Sequence, residues 1–430
     1  MRRRWGSGRS RWLAFASSMM LVSATTLAAQ NVERTDARQT EDTKKDKEGG
    51  LRGWIDKRVR SFTETSDREK GITPLFGTVT PGSGLAGGVG YKHFNAFGPG
   101  FGYEVGGMVS FRRYQEYSAA IGRLNGRSST VELDTADRRV GSLFNDSSTK
   151  KPGSALYVEA RYRDYPQSIY YGSGTASLKT NRADYSLSGV SVEGVWQRQF
   201  EFDSSLGLSV RGGLLDLRVG TGTNNAVVNF EERFAAATIP GGLEQPRFIT
   251  LGAGLVRDTR RHPGAPDDGT FIGVGVRRFT ADAAADLDFT RTTFDIRAYA
   301  QPITARGVIA VRALLSSDFT DSGRQTPFYL QQSLGGGDTI RGLPSYRFQD
   351  QALYVLSAEY RWRAHRYVEL APFVDVGNAA PALSRLTFDS LKVGPGVALR
   401  LRTDHRTLVR LEWATSSEGY RIVVGTGPSF

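Results

Sequence analysis

From Ile72 to its end the chain alternates apolar and polar positions with a period of two, the pattern of strands whose two faces meet different surroundings. The alternation is sharpest toward the C-terminus. In ALYVLSAEYRW, Tyr354, Leu356, Ala358, Tyr360 and Trp362 fall on one face and Ser357, Glu359 and Arg361 on the other. Val368, Leu370, Val374 and Val376 oppose Glu369, Phe373 and Asp375, and Leu391, Val393, Val397, Leu399 and Leu401 oppose Lys392, Arg400 and Arg402. By the same count the final YRIVVGTGPSF groups Tyr420, Ile422, Val424 and Phe430 on the apolar face. Charged residues thus share one face and oppose an apolar face rich in aromatics.

Counted back from the end, the pattern predicts strands near 420–430, 406–415, 391–401, 366–376, 352–363, 306–318, 290–302, 270–280, 247–258, 204–218, 183–200 and 155–164, with room for about four more between Leu85 and Phe144. Their connections alternate in length. Short ones fall at 364–365, 403–405, 304–305 and 201–203, and longer ones at 165–182, 219–246, 319–351 and 377–390. A soluble sandwich also alternates, but short turns at one end and long loops at the other describe a transmembrane antiparallel β-barrel, all-β, with its turns facing the periplasm. Closure leaves no free edge and satisfies the backbone inside lipid. Roughly 360 residues at about 22 per strand with its connection give 16 strands, and an even count places both termini in the periplasm.

Composition agrees with this class. Fifty glycines, an aromatic share of 11% and no cysteine fit many short strands and turns without a disulfide scaffold. Arg2, Arg3, Arg4, Arg9 and Arg11 precede an apolar run from Trp12 to Leu27 that ends in Ala28 and Ala29, so residues 1–29 read as a signal peptide. Cleavage would remove five arginines and lower the formal charge from +12 to +7 (12 minus 5). An exported chain does not meet a chromosome, so nucleic acid is excluded as a partner. Residues 30–71 are polar and charged and are expected to be a flexible periplasmic leader, either a solvated linker or, through Trp54–Phe62, a short helix at the barrel rim. The barrel itself is expected over 72–430.

Few residues suggest chemistry. The four histidines lie in turns or at strand ends, no G-x-S-x-G elbow is present, and no cluster has metal-ligand spacing, so no catalytic, metal or cofactor site is expected. GSGLAG at Gly82–Gly87 matches G-x-G-x-x-G but opens a strand with no helix after it, which excludes a dinucleotide fold. It is expected to loosen the first strand around Gly87 and Gly88. Gly425, Gly427 and Pro428 do the same to the last one, since Pro428 lacks an N–H. Both sides of the closing seam are then weak, either as ordinary barrel glycines or as a gate. The remaining feature is the loop GGGDTIRGLPSYRF, Gly335–Phe348, too flexible for a helix and too interrupted for a strand. Long loops inside folded domains are usually functional.

DTIRGLPSYRF resembles the Arg-Gly loop of the BamA/TamA family (the bacterial surface antigen family) and of two-partner secretion transporters, with Ile340 and Leu343 in place of the usual flanking residues. Three further matches follow in order: RDTRRHPGAPDDGTF at Arg257–Phe271, resembling a periplasmic turn; FVDVGN at Phe373–Asn378, resembling an Asp-x-Gly strand; and VGPGVALRLRT before the last two strands. The resemblance implies that the loop folds into the lumen, that Arg341, beside Gly342, pairs with Asp375, and that Glu359 is a second acidic partner. The alternation independently puts both carboxylates on the lumen face. Phe430 resembles the terminal aromatic by which the outer-membrane assembly machinery recognises its clients. The implied role is insertion or translocation of proteins through a lateral seam in the outer membrane, in contact with lipid and lipopolysaccharide. Assembly members of the family carry POTRA domains, which the 30–71 leader is too short to supply, so a periplasmic partner or a protein substrate is the expected counterpart. The alternative is a passive, porin-like or structural barrel plugged by the loop.

Overall fold

The period-two pattern becomes one antiparallel sheet. In a computed structural model the chain is described over 70–430, apart from 81, 125–152, 201, 225, 236–238, 242–243, 283–284, 303–305 and 322–323. The expected signal peptide, the leader and the Trp54–Phe62 helix lie outside the described residues. The strands are β1 (Lys70–Gly77), β2 (Ala86–His93), β3 (Phe101–Ser110), β4 (Gln115–Arg123), β5 (Ser154–Tyr170), β6 (Ala183–Gln199), β7 (Leu206–Thr221), β8 (Arg247–Asp258), β9 (Gly269–Ala281), β10 (Phe289–Ala300), β11 (Gly307–Phe319), β12 (Gln332–Leu334), β13 (Phe348–Asp350), β14 (Ala352–His365), β15 (Val368–Ala380), β16 (Lys392–Arg402), β17 (Thr407–Ser416) and β18 (Gly419–Gly425). Sixteen of them pair in chain order, while β12 and β13 form a separate hairpin between β11 and β14.

The two faces are as unlike as the sequence suggests. Outward positions carry Leu251, Ile249, Leu214, Val397, Leu399, Leu411 and Trp413, all exposed, and inward positions carry buried charges such as Glu193, Arg291, Asp295, Glu359, Asp375 and Arg400. An apolar surface of this extent would aggregate in water and is stable in hydrocarbon.

Two expectations about the beginning of the sheet need correction. The first strand is β1, which starts at Lys70, ahead of the Gly82–Gly87 run. Gly87 and Gly88 lie in β2, opposite Phe76 and Leu75, one strand in from the edge. The connection 124–153 also departs from the alternation: it leaves the sheet at the end that carries the short turns 200–205, 366–367 and 403–406.

Long-range contacts show the sheet curling on itself. A methyl group added at Gly77, the last residue of β1, would lie 3.6 Å from Thr426 Oγ1, just past β18. Past β1, the described residues of 78–84 form no strand. Among the described residues no ladder joins β1 to β18.

At the long-loop end, Arg347 Nε donates to both Glu418 carboxylate oxygens at 2.8 Å, and its Nη1 and Nη2 donate to Ser177 Oγ (3.0 Å) and Ser177 O (2.9 Å). One guanidinium so ties the 171–182 loop, the loop between β11 and β14, and the β17–β18 turn. Beneath them Tyr170, Tyr185, Phe230 and Phe328 stack with centroids 4.9–6.1 Å apart. Such aromatic pairs contribute beyond their buried area.

Asp350, at the end of β13, is buried in this cap and accepts the Gln351 N–H at 2.9 Å. Burial pushes its carboxyl up to about 6, against the smaller opposing effect of that N–H. The folded cap therefore binds a proton more tightly than the unfolded chain, whose carboxyl titrates near 3.9, and stability falls as pH rises from about 4 to 6. Asp350→Asn is expected to remove this slope, of order 1–2 kcal/mol across the window. Unfolding midpoints in detergent at pH 4, 5, 6 and 7 check it. Equal slopes in the variant and the parent would contradict the assignment.

Candidate functional site

The long segment between β11 and β14 is held against the inner wall by an apolar patch and a charge cluster. Leu334, Ile340, Leu343 and Phe348 of the loop pack with Leu314, Leu353, Val355 and Ala379 of the wall. Gly335 and Gly336 take left-handed φ values of 114° and 97° at the start of the turn, which favour glycine. Burial of these side chains removes apolar surface from the lumen and brings Arg341 to the wall.

Arg341 is surrounded by three carboxylates. Its Nε and Nη2 donate to Asp375 Oδ2 (2.7 Å) and Oδ1 (2.8 Å), a two-pronged fork, and its backbone N–H reaches Oδ2 at 3.2 Å. Nη1 donates to Glu359 Oε1 at 2.6 Å and Glu412 Oε1 at 3.0 Å. The guanidinium carbon lies 3.3 Å from the centre of the Phe373 ring. A planar fork meeting carboxylates and an aromatic face suits arginine and not lysine.

Backbone contact explains Gly342. A Cβ there would sit 2.1 Å from the Thr415 carbonyl oxygen of β17, and one at Gly394 of β16 would sit 3.1 Å from Gly342 N. Two residues without Cβ let loop and wall touch, and Ser416 Oγ donates to Gly342 O at 2.9 Å.

From Arg341 a line of alternating charges runs toward the short-turn end. Glu359 accepts from Arg361 Nε (2.8 Å) and Arg400 Nη2 (2.9 Å), Arg400 Nη1 reaches Glu369 (3.0 Å), and Arg402 Nη1 joins Glu369 (2.8 Å) to Asp267 (2.9 Å). Asp267 belongs to the 259–268 turn, which folds across this end of the lumen. There Thr407 N donates to Gly264 O at 2.9 Å, Arg363 also pairs with Asp267, and the Nδ1 atoms of His262 and His405 are 3.2 Å apart. Burial alone would raise the Asp267 carboxyl. The hydrogen bond and charge of Arg402, with Arg363, outweigh it and hold the carboxyl below its ordinary range. At the turn's root Arg260 forks onto Asp258, two residues before it (2.9 and 3.0 Å), which fixes the start of the turn.

The seam residues have other surroundings than expected. Gly425 faces Arg410: a Cβ there would lie 2.6 Å from Arg410 Nε, so the missing side chain makes room for a buried guanidinium. Gly427 N donates to Thr407 O at 3.2 Å, a backbone bond to β17. Gly427 then takes φ 70° and Pro428 offers no donor, so the chain leaves the sheet and turns inward. Phe430 is therefore not on the apolar outer face, where alternation placed it. It is 5% exposed and packs in the lumen with Tyr299, Val308 and Ala310, while Tyr299 OH donates to Phe430 O at 2.7 Å. A left-handed residue followed by proline breaks the period, so parity cannot be counted through them. Glu412 is the partner that sequence reading missed. Its signal was present, since Arg410 and Glu412 alternate with Val409, Leu411 and Trp413, but β17 lies far from the loop in sequence.

The Omp85 superfamily domain matches residues 121–430 of this chain, and no curated protein matches it. Among solved structures it is similar to BamA from Haemophilus ducreyi lacking POTRA domains 1–3, with TM-score 0.58 and 16% identity over 83% of this chain and 70% of that one. It is also similar to CdiB from Escherichia coli, with TM-score 0.52 and 10% identity over 83% of this chain and 62% of that one. At these identities the likeness is one of fold. The match over well over half the sequence, with the sixteen-stranded barrel, makes the chain a member of the Omp85 superfamily and a protein of the bacterial outer membrane.

Proposed function

We propose that this barrel inserts proteins into the outer membrane or passes them across it, by parting the seam between β1 and β18 while the Arg341 loop holds the neighbouring wall in shape. The observation that carries this reading is the seam: β1 and β18 share no ladder among the described residues and meet near Gly77 and Thr426. An unpaired strand edge is a template for another strand. The passive, porin-like alternative is less well supported, because the 259–268 turn crosses one end of the lumen and an aromatic cap the other. The proposal includes residues 1–29 as an export signal, the residues from 30 up to β1 as a periplasmic leader, and a periplasmic partner or protein substrate meeting the short-turn end.

The seam is tested by the pair Gly77→Cys and Thr426→Cys, in a chain that has no other cysteine. A cysteine at Gly88 would miss the seam, because Gly88 is in β2. Oxidation is expected to stop insertion of a client β-barrel into liposomes containing the purified protein, and reduction of the same variant to restore it. Undiminished insertion by the oxidised form would sink the gating reading and favour a passive barrel.

A further inference from the structure

The C-terminus and the arginine loop share a carboxylate. Ser429 Oγ donates to Glu359 Oε1 at 2.7 Å, and that same oxygen accepts Arg341 Nη1 at 2.6 Å. Arg400 Nη2 donates to Ser429 Oγ at 2.9 Å while also holding Glu359, so Ser429 is fixed as a donor toward the carboxylate. Behind it the Phe430 ring and carbonyl are anchored on Tyr299, and Arg361 lies over both rings at 5.2–5.3 Å. These two residues lie four and five positions past Gly425, the end of β18, the strand at the seam.

We propose that Ser429 and Phe430 are positioning residues for the Arg341 loop: the segment after the closing strand completes the set of donors that hold Glu359, so that withdrawing it from the lumen loosens the loop. The physical reason is geometric. Glu359 has two oxygens shared among Arg341, Arg361, Arg400 and Ser429, and its rotamer is over-determined while all four hold it. Loss of Ser429 removes one of three donors on Glu359 Oε1, and Arg400, relieved of its bond to the hydroxyl, can then draw the carboxylate away from Arg341. The linkage is reciprocal, so an undocked loop would loosen the C-terminus in turn. Since nothing here depends on a cargo, the inference stands or falls independently of the transport reading.

The test uses the full chain with a single reporter, Ile340→Cys, at a loop position with no exposure. Maleimide labelling of the folded barrel reads loop undocking. Ser429→Ala is expected to raise the labelling rate about tenfold, in keeping with a hydrogen bond to a charged group. Ser429→Thr, which keeps the hydroxyl, is expected to restore the parent rate. A second reporter, Phe328→Cys, buried in the cap and remote from Glu359, is expected to label at the same rate in all variants. Tyr299→Phe leaves Ser429 and Phe430 in place and should raise the Cys reporter rate at 340 about threefold, because it removes one bond that anchors Phe430 and reaches Glu359 only indirectly. Unchanged labelling at 340 in both Ser429→Ala and Tyr299→Phe would overturn the proposal. So would a rise that appears equally at 328, or one that Ser429→Thr does not reverse. If Ser429→Ala yields no folded barrel, the Tyr299→Phe result decides.

Discussion

Arg341→Glu is expected to remove most of the folded, heat-modifiable barrel. The substitution takes away the cation shared by Asp375, Glu359 and Glu412, each with a side chain 0–1% exposed, and adds a fourth carboxylate among them. In the native cluster three carboxylates face the guanidiniums of Arg341, Arg361 and Arg400, so charges balance locally. Reversal leaves four acids against two bases. Breaking a buried pair by removing one partner costs about 3–5 kcal/mol, and reversal belongs at or above the top of that range. A typical domain has only about 5–15 kcal/mol to lose. Asp375→Arg in the same chain is expected to restore only a minority of the folded yield. It rebuilds the fork with its polarity inverted but leaves Glu359 and Glu412 facing the new carboxylate. Arg341→Lys should fall between parent and reversal, because a point charge cannot reach three carboxylates and lie on Phe373 at once. Gel mobility with and without heating measures all four chains. A fully folded Arg341→Glu protein would refute the structural role assigned to this cluster.

Gly342→Val is expected to undock the loop while leaving the wall standing. Its Cβ would fall 2.1 Å from Thr415 O, and that oxygen has little room to retreat, since Thr415 pairs with Tyr420 of β18 and the adjacent Ala414 with Gly396 of β16. Overpacking usually costs about 1–3 kcal/mol, and a clash with backbone belongs at the upper end. Here the cheaper response is for the loop to leave, taking Arg341 with it. The outcome should therefore differ from Arg341→Glu: heat-modifiable barrel persists, but protease is expected to cut within 332–348, where the parent is expected to resist it. Protection equal to the parent would show that the close approach of loop and wall is not needed.

The contrast between well-read and misread residues has a physical basis. Asp375 and Glu359 could be placed in the lumen from sequence because β14 and β15 are regular over that stretch, and each residue's face follows from its neighbours two positions away. Glu412 obeyed the same alternation, but its meeting with Arg341 depends on the register of β15, β16 and β17 together, which no local pattern specifies. The first strand was misplaced because KGITPLFG is short and carries Pro74, while the Gly82–Gly87 run drew attention to the turn after it. Gly425 was read as a missing side chain that weakens the seam. In the fold it is the space occupied by Arg410, which a composition argument cannot see.

The sequence by itself determined the class of this protein and the sidedness of its strands, because a period of two is set by the pleat and by the solvent each face meets. It also determined that the Gly335–Phe348 segment had to be a loop, since its glycines and proline admit neither ladder nor helix. Only the tertiary structure decided which charges meet across the lumen, why Gly342 and Gly394 must both lack a Cβ, and that Ser429 lies inside the barrel on the carboxylate that holds Arg341. Those facts come from the stagger between strands and from one bend at Gly427–Pro428, where the backbone leaves the wall and the local pattern stops carrying information.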